Sequence, residues 1–473
     1  MNPLNYRIND YFELEGIWSS NFSDKKVYGK LIHRSDNTTE LKLYDSLAFD
    51  KLQVGQINIL GKIKSDLSTY VIKAYIVSVD PINCLNYCQV DHFIILKDNQ
   101  INQESKISAF DTFSFSFLHL KEWLPKIDYE YFNNSNEKGI LFKNVNSEYL
   151  GNIEFKGKEY KLYIKKSIVS QEDHERVGFG KEYFNKISYE VDSKLEIQGQ
   201  KISIEDAINI CRKICGLFEI LLDDYSKITY LGNSKCNVFP TYVYHNKNID
   251  EHQLYFSAIN YENINLPNII NAWECMNNTE TNIYFHRLVA NYLSDINNPS
   301  TLENRLLNIT QGIEMYGADK KYPNLLCKLV SIFIKLPEEF LIKIAKSVES
   351  MIDFDIDIEK EVFSVKYRSG YKKSQTGKYI HTLDDNNLRK ALRLIYFLVE
   401  LKNTRVFLTH GTDLNKPVFK NKELKAAVTI LAEVVRIFIL LKLGVPENEL
   451  QYSVDTLNNI TKLSIDYNYD EFN

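Results

Sequence analysis

No run of eighteen apolar residues occurs in the 473-residue chain, and Met1 to Tyr11 hold no apolar signal core. No membrane-spanning helix and no secretory signal peptide are therefore expected. Cysteine is sparse, an odd seven without dense spacing, which argues against a disulfide framework and for a reducing cytoplasm. Cys84 with Cys88, and Cys211 with Cys215, are spaced C-x-x-x-C, yet neither has a second pair or a His at zinc-finger spacing. Both pairs read as buried structural thiols, and no metal or cofactor is expected. An excess of positive charge is also missing: 57 Lys and Arg stand against 62 Asp and Glu, for a net charge of -5. Binding of nucleic acid through bulk positive charge is excluded, so any RNA contact needs a local basic patch.

What is present describes an ordinary globular chain, 44% hydrophobic and 25% charged, and too long for one core. The patterning predicts an α+β multidomain protein in three parts. Residues 1–195 are rich in β-branched and aromatic alternation, as in Ile57 to Leu60, Tyr70 to Ile72 and Phe113 to Phe117. Turn-forming Asp36-Asn37-Thr38 and Asp98-Asn99 punctuate them, so an antiparallel sandwich or barrel-like domain is expected. Residues 196–295 read as a mixed α/β linking region without a site. It begins with a helix from Ile204 to Asp224 capped by Ser203. Residues 296–473 read as all-α, with apolar stripes on Leu306, Ile309, Ile313 and Tyr316, and on Leu424, Val428, Leu431, Val435, Phe438 and Leu441.

The chemistry-bearing stretch is the helix through Leu388, Leu392, Ile395 and Val399, which share a face at helical spacing and are expected to be buried. It runs on to Asn403-Thr404-Arg405-Val406-Phe407-Leu408-Thr409-His410-Gly411. Gly411 is the residue type that follows a helix end. Arg405 and His410 therefore fall near the last turn, a permanent cation beside a side chain that titrates near neutrality. About 0.6 such Arg–His spacings are expected by chance in this composition, so the spacing alone decides nothing. Its plain alternative is a cation capping a helix C-terminus, worth roughly 0.3–1 kcal/mol.

The motif has company. Leu302-Glu303-Asn304-Arg305-Leu306-Leu307 running to Glu314 forms a second helix, and Glu303 and Glu314 are candidates to orient a catalytic Arg or His across helices, the plain alternative for each being a solvated or salt-bridged helix glutamate. Together with Gly16-Ile17-Trp18 and Gly29-Lys30-Leu31 in the N-terminal part, this layout resembles the HEPN ribonuclease superfamily, and within it the ApeA-like branch of bacterial anti-phage defence proteins. The resemblance implies a C-terminal HEPN helical bundle that pairs as a homodimer. It further implies Arg405 and His410 as the catalytic pair, with Glu314, Asn403 and Thr409 as auxiliaries. The implied activity is metal-independent endonucleolytic cleavage of RNA, tRNA being a candidate substrate, released by a phage-derived trigger during abortive infection. The family commonly carries Asn directly after the motif Arg, where this chain has Val406. That departure motivates the second reading, a non-catalytic HEPN protein binding RNA, nucleotide or a protein partner.

Between the two helices, Tyr367-Arg368-Ser369-Gly370-Tyr371-Lys372-Lys373-Ser374-Gln375-Thr376-Gly377-Lys378-Tyr379 combines cations, tyrosines and glycines. It is expected to be a flexible loop, either simply solvated or one in which Arg368, Lys372, Lys373 and Lys378 contact RNA phosphates and the tyrosines stack on bases.

Overall fold

The computed structural model describes residues 6–20, 25–45, 56–63, 69–80, 85–96, 109–124, 129–133, 138–142, 147–176, 183–223, 227–233, 236–240, 259–276, 282–297, 301–318, 324–349, 352–357, 362–367, 370–374, 385–411 and 418–451. The chain folds as two compact units, one of Met1–Phe218 with Ser226–Leu254, the other of Glu219–Tyr225 with Tyr255–Asn473.

The first unit is built on strands β1 (Phe12–Ser20), β2 (Val27–His33), β3 (Thr39–Leu43), β4 (Gln56–Ile63), β5 (Thr69–Asp80), β6 (Leu85–Leu96) and β7 (Ala109–Phe117). A one-turn helix α1 (Leu120–Trp123) and a separate two-stranded pairing of β8 (Tyr129–Asn133) with β9 (Lys138–Phe142) follow. Then come β10 (Glu148–Phe155), β11 (Lys158–Arg176), β12 (Tyr183–Ser203), helix α2 (Ile204–Leu222), β13 (Ile228–Gly232) and β14 (Cys236–Pro240). Twelve of these strands form one antiparallel sheet in the order β10-β11-β12-β7-β13-β14-β6-β3-β2-β1-β4-β5.

The further pairing of β5 with β6, from Tyr70 opposite Ile95 to Asp80 opposite Leu85, closes β1 to β6 into a six-stranded barrel. Closure leaves those strands without free edges. Alternation fills the barrel: along β1, Phe12, Leu14, Gly16 and Trp18 are buried, whereas Glu13, Glu15 and Ile17 are exposed. Trp18 pairs with Gly61 across the β1–β4 ladder, and a Cβ on Gly61 would fall inside the indole ring. A Cβ on Gly29 would come within 3.0 Å of the same ring. Glycine at these positions therefore makes room for the largest side chain in the core. His33 is a core histidine here, satisfied by Thr39 at 2.7 Å and the carbonyl of Ile8 at 2.6 Å.

The second unit contains α3 (Leu266–Met276), α4 (Ile283–Asn297), α5 (Leu302–Ala318), α6 (Leu325–Phe333), α7 (Glu338–Glu349), strands β15 (Ile352–Asp357), β16 (Val362–Tyr367) and β17 (Gly370–Ser374), then α8 (Asp385–His410) and α9 (Asn421–Lys442). Helix α9 is buried nearly all round, from Leu424 through Leu440, as befits a helix at the centre of a bundle rather than on its surface. Among the described residues no helix is long and apolar enough to cross a membrane.

Two parts of the expected fold class are corrected. Residues 196–295 are not a linking region of their own: β12 runs on to Ser203, and β13 and β14 complete the large sheet. The cause is non-local pairing, since β14 docks on β6 with Cys236 opposite Leu96, a partner no local pattern reveals. The C-terminal part is not all-α either, because β15, β16 and β17 form a three-stranded sheet between α7 and α8. The stretch read as a flexible loop contributes β17 to it, with Lys372 opposite Val365 and Lys373 opposite Ser364. Backbone pairing there outweighs the polar composition that suggested a loop.

Candidate active site

Helix α8 ends at His410, and Gly411 follows in the left-handed region at φ 59°, its N–H donating to the carbonyl of Phe407 at 2.8 Å. The helix end is thus closed by a glycine, as its sequence predicts. The buried face is another matter. Ile395 is 51% exposed, whereas Phe397, Leu398, Leu401, Asn403 and Thr404 are buried. The Thr404 hydroxyl donates to the carbonyl of Glu400 at 2.8 Å and accepts the N–H of Phe419 at 2.9 Å. These bonds tie the segment leading into α9 to the flank of α8.

That register turns Arg405 toward α5. Its Nη2 donates to Glu314 Oε2 at 2.8 Å, with the two side chains 23% and 28% exposed. Lys328 of α6 donates to the backbone carbonyl of Glu314 at 2.8 Å, which fixes the helix segment that carries the carboxylate. Thr409, one turn beyond Arg405, donates to its carbonyl at 2.7 Å.

Arg405, Glu314 and Thr409 line one open cleft of about 520 Å³, formed by single stripes of three helices. From α4 come Tyr284 and Arg287; from α5, Leu307, Gln311, Glu314, Met315 and Ala318; from α8, Arg405 and Thr409. The spacing within each group places its members on one helix face. On α5 the opposite face, Leu306, Ile309 and Ile313, is core. Where α4 and α5 approach, a Cβ on Gly312 would meet Asn291 Cβ at 3.0 Å, so glycine allows the close contact beneath the cleft.

The expected site residues divide accordingly. Arg405, Glu314 and Thr409 come together. His410 is exposed at the helix terminus and does not line the cleft. Asn403 is buried, and Glu303 is exposed in the first turn of α5. Arg368 and Lys378 lie outside the described residues, and Lys372 and Lys373 stand on β17. Tyr284, Arg287 and Gln311 went unnoticed in the sequence. The signal for Tyr284 and Arg287 was an i, i+3 polar pair opposite the buried Phe285, Leu288, Val289 and Tyr292, and that for Gln311 its place one turn before Glu314 and Met315, both legible only once α4 is known to face α5. Among the described residues no three His, Cys, Asp or Glu side chains converge as metal ligands would.

One turn before the motif, Glu400 is only 2% exposed and its Oε2 has no hydrogen-bond partner. Burial, reinforced by the charge of Glu423, pushes its carboxyl up to about 8 from an ordinary 4.5. The folded chain then holds a proton that the unfolded chain releases between those two values. Stability from this group is complete below about pH 4.5 and is lost as pH rises through about 8. Glu400→Gln removes the loss. The variant should be more stable than wild type at pH 7, by at most about 3 kcal/mol, with the gap widening toward pH 9. Urea unfolding at pH 5, 7 and 9 measures it; a gap that stays constant with pH would contradict the assignment.

No family model matches the chain, and no curated protein or solved structure matches it either.

Proposed function

We propose that the chain is a metal-independent endoribonuclease related to the HEPN ribonucleases, acting in the cytoplasm in anti-phage defence, with tRNA a candidate substrate. The observation that carries this reading is an arginine held by a carboxylate in the wall of an open cleft, on the same helix end that carries His410. RNA brings its own nucleophile. A neutral imidazole can take the proton of a ribose 2′-hydroxyl while that oxygen attacks the adjacent phosphorus. The guanidinium of Arg405 stabilises the charge that builds on the phosphate oxygens. The 5′-oxygen then leaves with a proton, giving a 2′,3′-cyclic phosphate and a 5′-hydroxyl. One imidazole does not serve as base and acid at the same instant, so a homodimer that brings two motifs to one cleft would supply both. A phage-derived trigger would release the activity.

His410 lies outside the cleft lining, which favours the second reading, a non-catalytic binder of RNA. His410→Ala separates the two. Loss of a general acid–base group should lower cleavage by about 10²–10⁴-fold while leaving the affinity for an RNA oligonucleotide within about twofold, since the residue makes none of the cleft wall. Cleavage by His410→Ala equal to that of wild type would remove the histidine from the mechanism.

A further inference from the structure

The face of α4 that lines the cleft needs a purpose. Phe285, Leu288, Val289 and Tyr292 form the buried core side of this helix, and Tyr284 and Arg287 are not part of that core. Tyr284 is half-buried and Arg287 exposed, and both look onto the space bounded by Arg405. Glu314 is already matched by Arg405 at 2.8 Å. Arg287 therefore adds a positive charge to the cleft, although the whole chain carries a net charge of -5. Leu307 and Met315 give the cleft an apolar surface, and Gln311 offers both a donor and an acceptor. The Arg287 guanidinium, a second guanidinium on Arg405 that shares its donors with Glu314, an aromatic face, a side-chain amide and an apolar floor are groups that a nucleotide uses: charge and forked donors for phosphate, a ring for the base. The volume of about 520 Å³ lies within the range of small-molecule sites.

We propose that the cleft between α4, α5 and α8 seats one nucleotide of single-stranded RNA, with Arg287 binding the phosphate together with Arg405 and Tyr284 stacking on the base. As a substrate-positioning site it rests on the ribonuclease reading, but RNA binding here is measurable without any cleavage. This patch also differs from the basic stretch around Lys372 and Lys373, since it lies on α4, α5 and α8 and not on β17.

The test is fluorescence anisotropy with the full-length protein and a labelled 12-nucleotide 2′-O-methyl RNA, whose blocked 2′-oxygen prevents cleavage. Arg287→Ala should weaken binding about fivefold to tenfold and lower the slope of log affinity against log salt by about 0.7, the share of one phosphate contact on a single strand. Arg287→Lys should recover part of the affinity and the whole slope. Tyr284→Ala should weaken binding about tenfold with the slope unchanged, and Tyr284→Phe should bind as wild type. Unshifted thermal midpoints would confirm that all four variants fold. Unchanged affinity in Arg287→Ala or in Tyr284→Ala, or no binding by wild type, overturns the inference. If the binding changes appear but wild-type protein cleaves no RNA, the nucleotide site stands and the catalytic reading falls. If RNA is cleaved while both variants bind normally, the reverse holds.

Discussion

Arg436→Ala should cost the helical unit about 3–5 kcal/mol, the usual penalty for removing one partner of a buried ion pair. Arg436 lies inside α9 and is 0% exposed. Its Nε donates to the carbonyl of Ile220 at 2.9 Å and its Nη2 to that of Leu221 at 3.4 Å. Those carbonyls belong to the last turn of α2, where no helical N–H remains to meet them. Nη1 reaches Glu433 at 3.0 Å, and Asp223 lies 3.5 Å from Nε. The substitution thus leaves the Ile220 carbonyl without its donor, while that of Leu221 keeps only the N–H of Ile259 at 2.9 Å, and it strands Glu433 and Asp223 without their counter-charge. Arg436→Lys should recover less than half of the loss, because one ammonium does not reproduce a planar fork aimed at carbonyls and carboxylates together. Urea unfolding followed by helical circular dichroism reads the effect. A loss under about 1 kcal/mol would mean that the network adds no more than a surface ion pair does.

The second large effect is functional and separates from stability. Arg405→Ala breaks an ion pair whose partners are about a quarter exposed, so solvent screening limits the stability cost to roughly 0.2–1 kcal/mol. Cleavage should fall by about 10²–10³-fold, as when one oxyanion-stabilising donor is removed. Arg405→Lys should not restore it, since a lysine offers a point charge where the guanidinium can hold Glu314 with one nitrogen and, in the proposed mechanism, present the others to a phosphate. Glu314→Gln keeps a hydrogen bond to Arg405 but loses the charge that orients it, and about tenfold is the expected loss. Single-turnover cleavage assays alongside unfolding curves check all three. Parallel losses of folding and activity in Arg405→Ala would mark the residue as structural.

How much of this was legible beforehand differs by element. The termini of helices were: Ser203 caps α2 through Asp206 N–H at 3.1 Å, and Gly411 ends α8. Both are short-range effects, complete within a turn of the residue that causes them. The buried face of α8 was not. An apolar stripe through Ile395 and Val399 competes with one through Phe397 and Leu401. Packing against α5, α6 and α7 selects the second, even though it buries Glu400, Asn403 and Thr404. Polar residues on a buried face hide it from any reading based on hydrophobic period. The barrel closure through β5 and β6, and the docking of β14 on β6, depend on partners far apart in sequence. Within the candidate site, Arg405 and Glu314 were legible as separate helix residues. Their meeting with Arg287 and Tyr284 required knowing which helix faces which.

Action of Arg405 on RNA without a metal ion, as proposed, would leave a direct chemical signature. Purified wild-type and Arg405→Ala proteins, each incubated with total RNA in EDTA, should differ in the ends they create. New 5′-hydroxyl and 2′,3′-cyclic phosphate ends are expected with wild type and none with Arg405→Ala. The same ends from both proteins, or ends from wild type that vanish in EDTA and return with added magnesium, would contradict it.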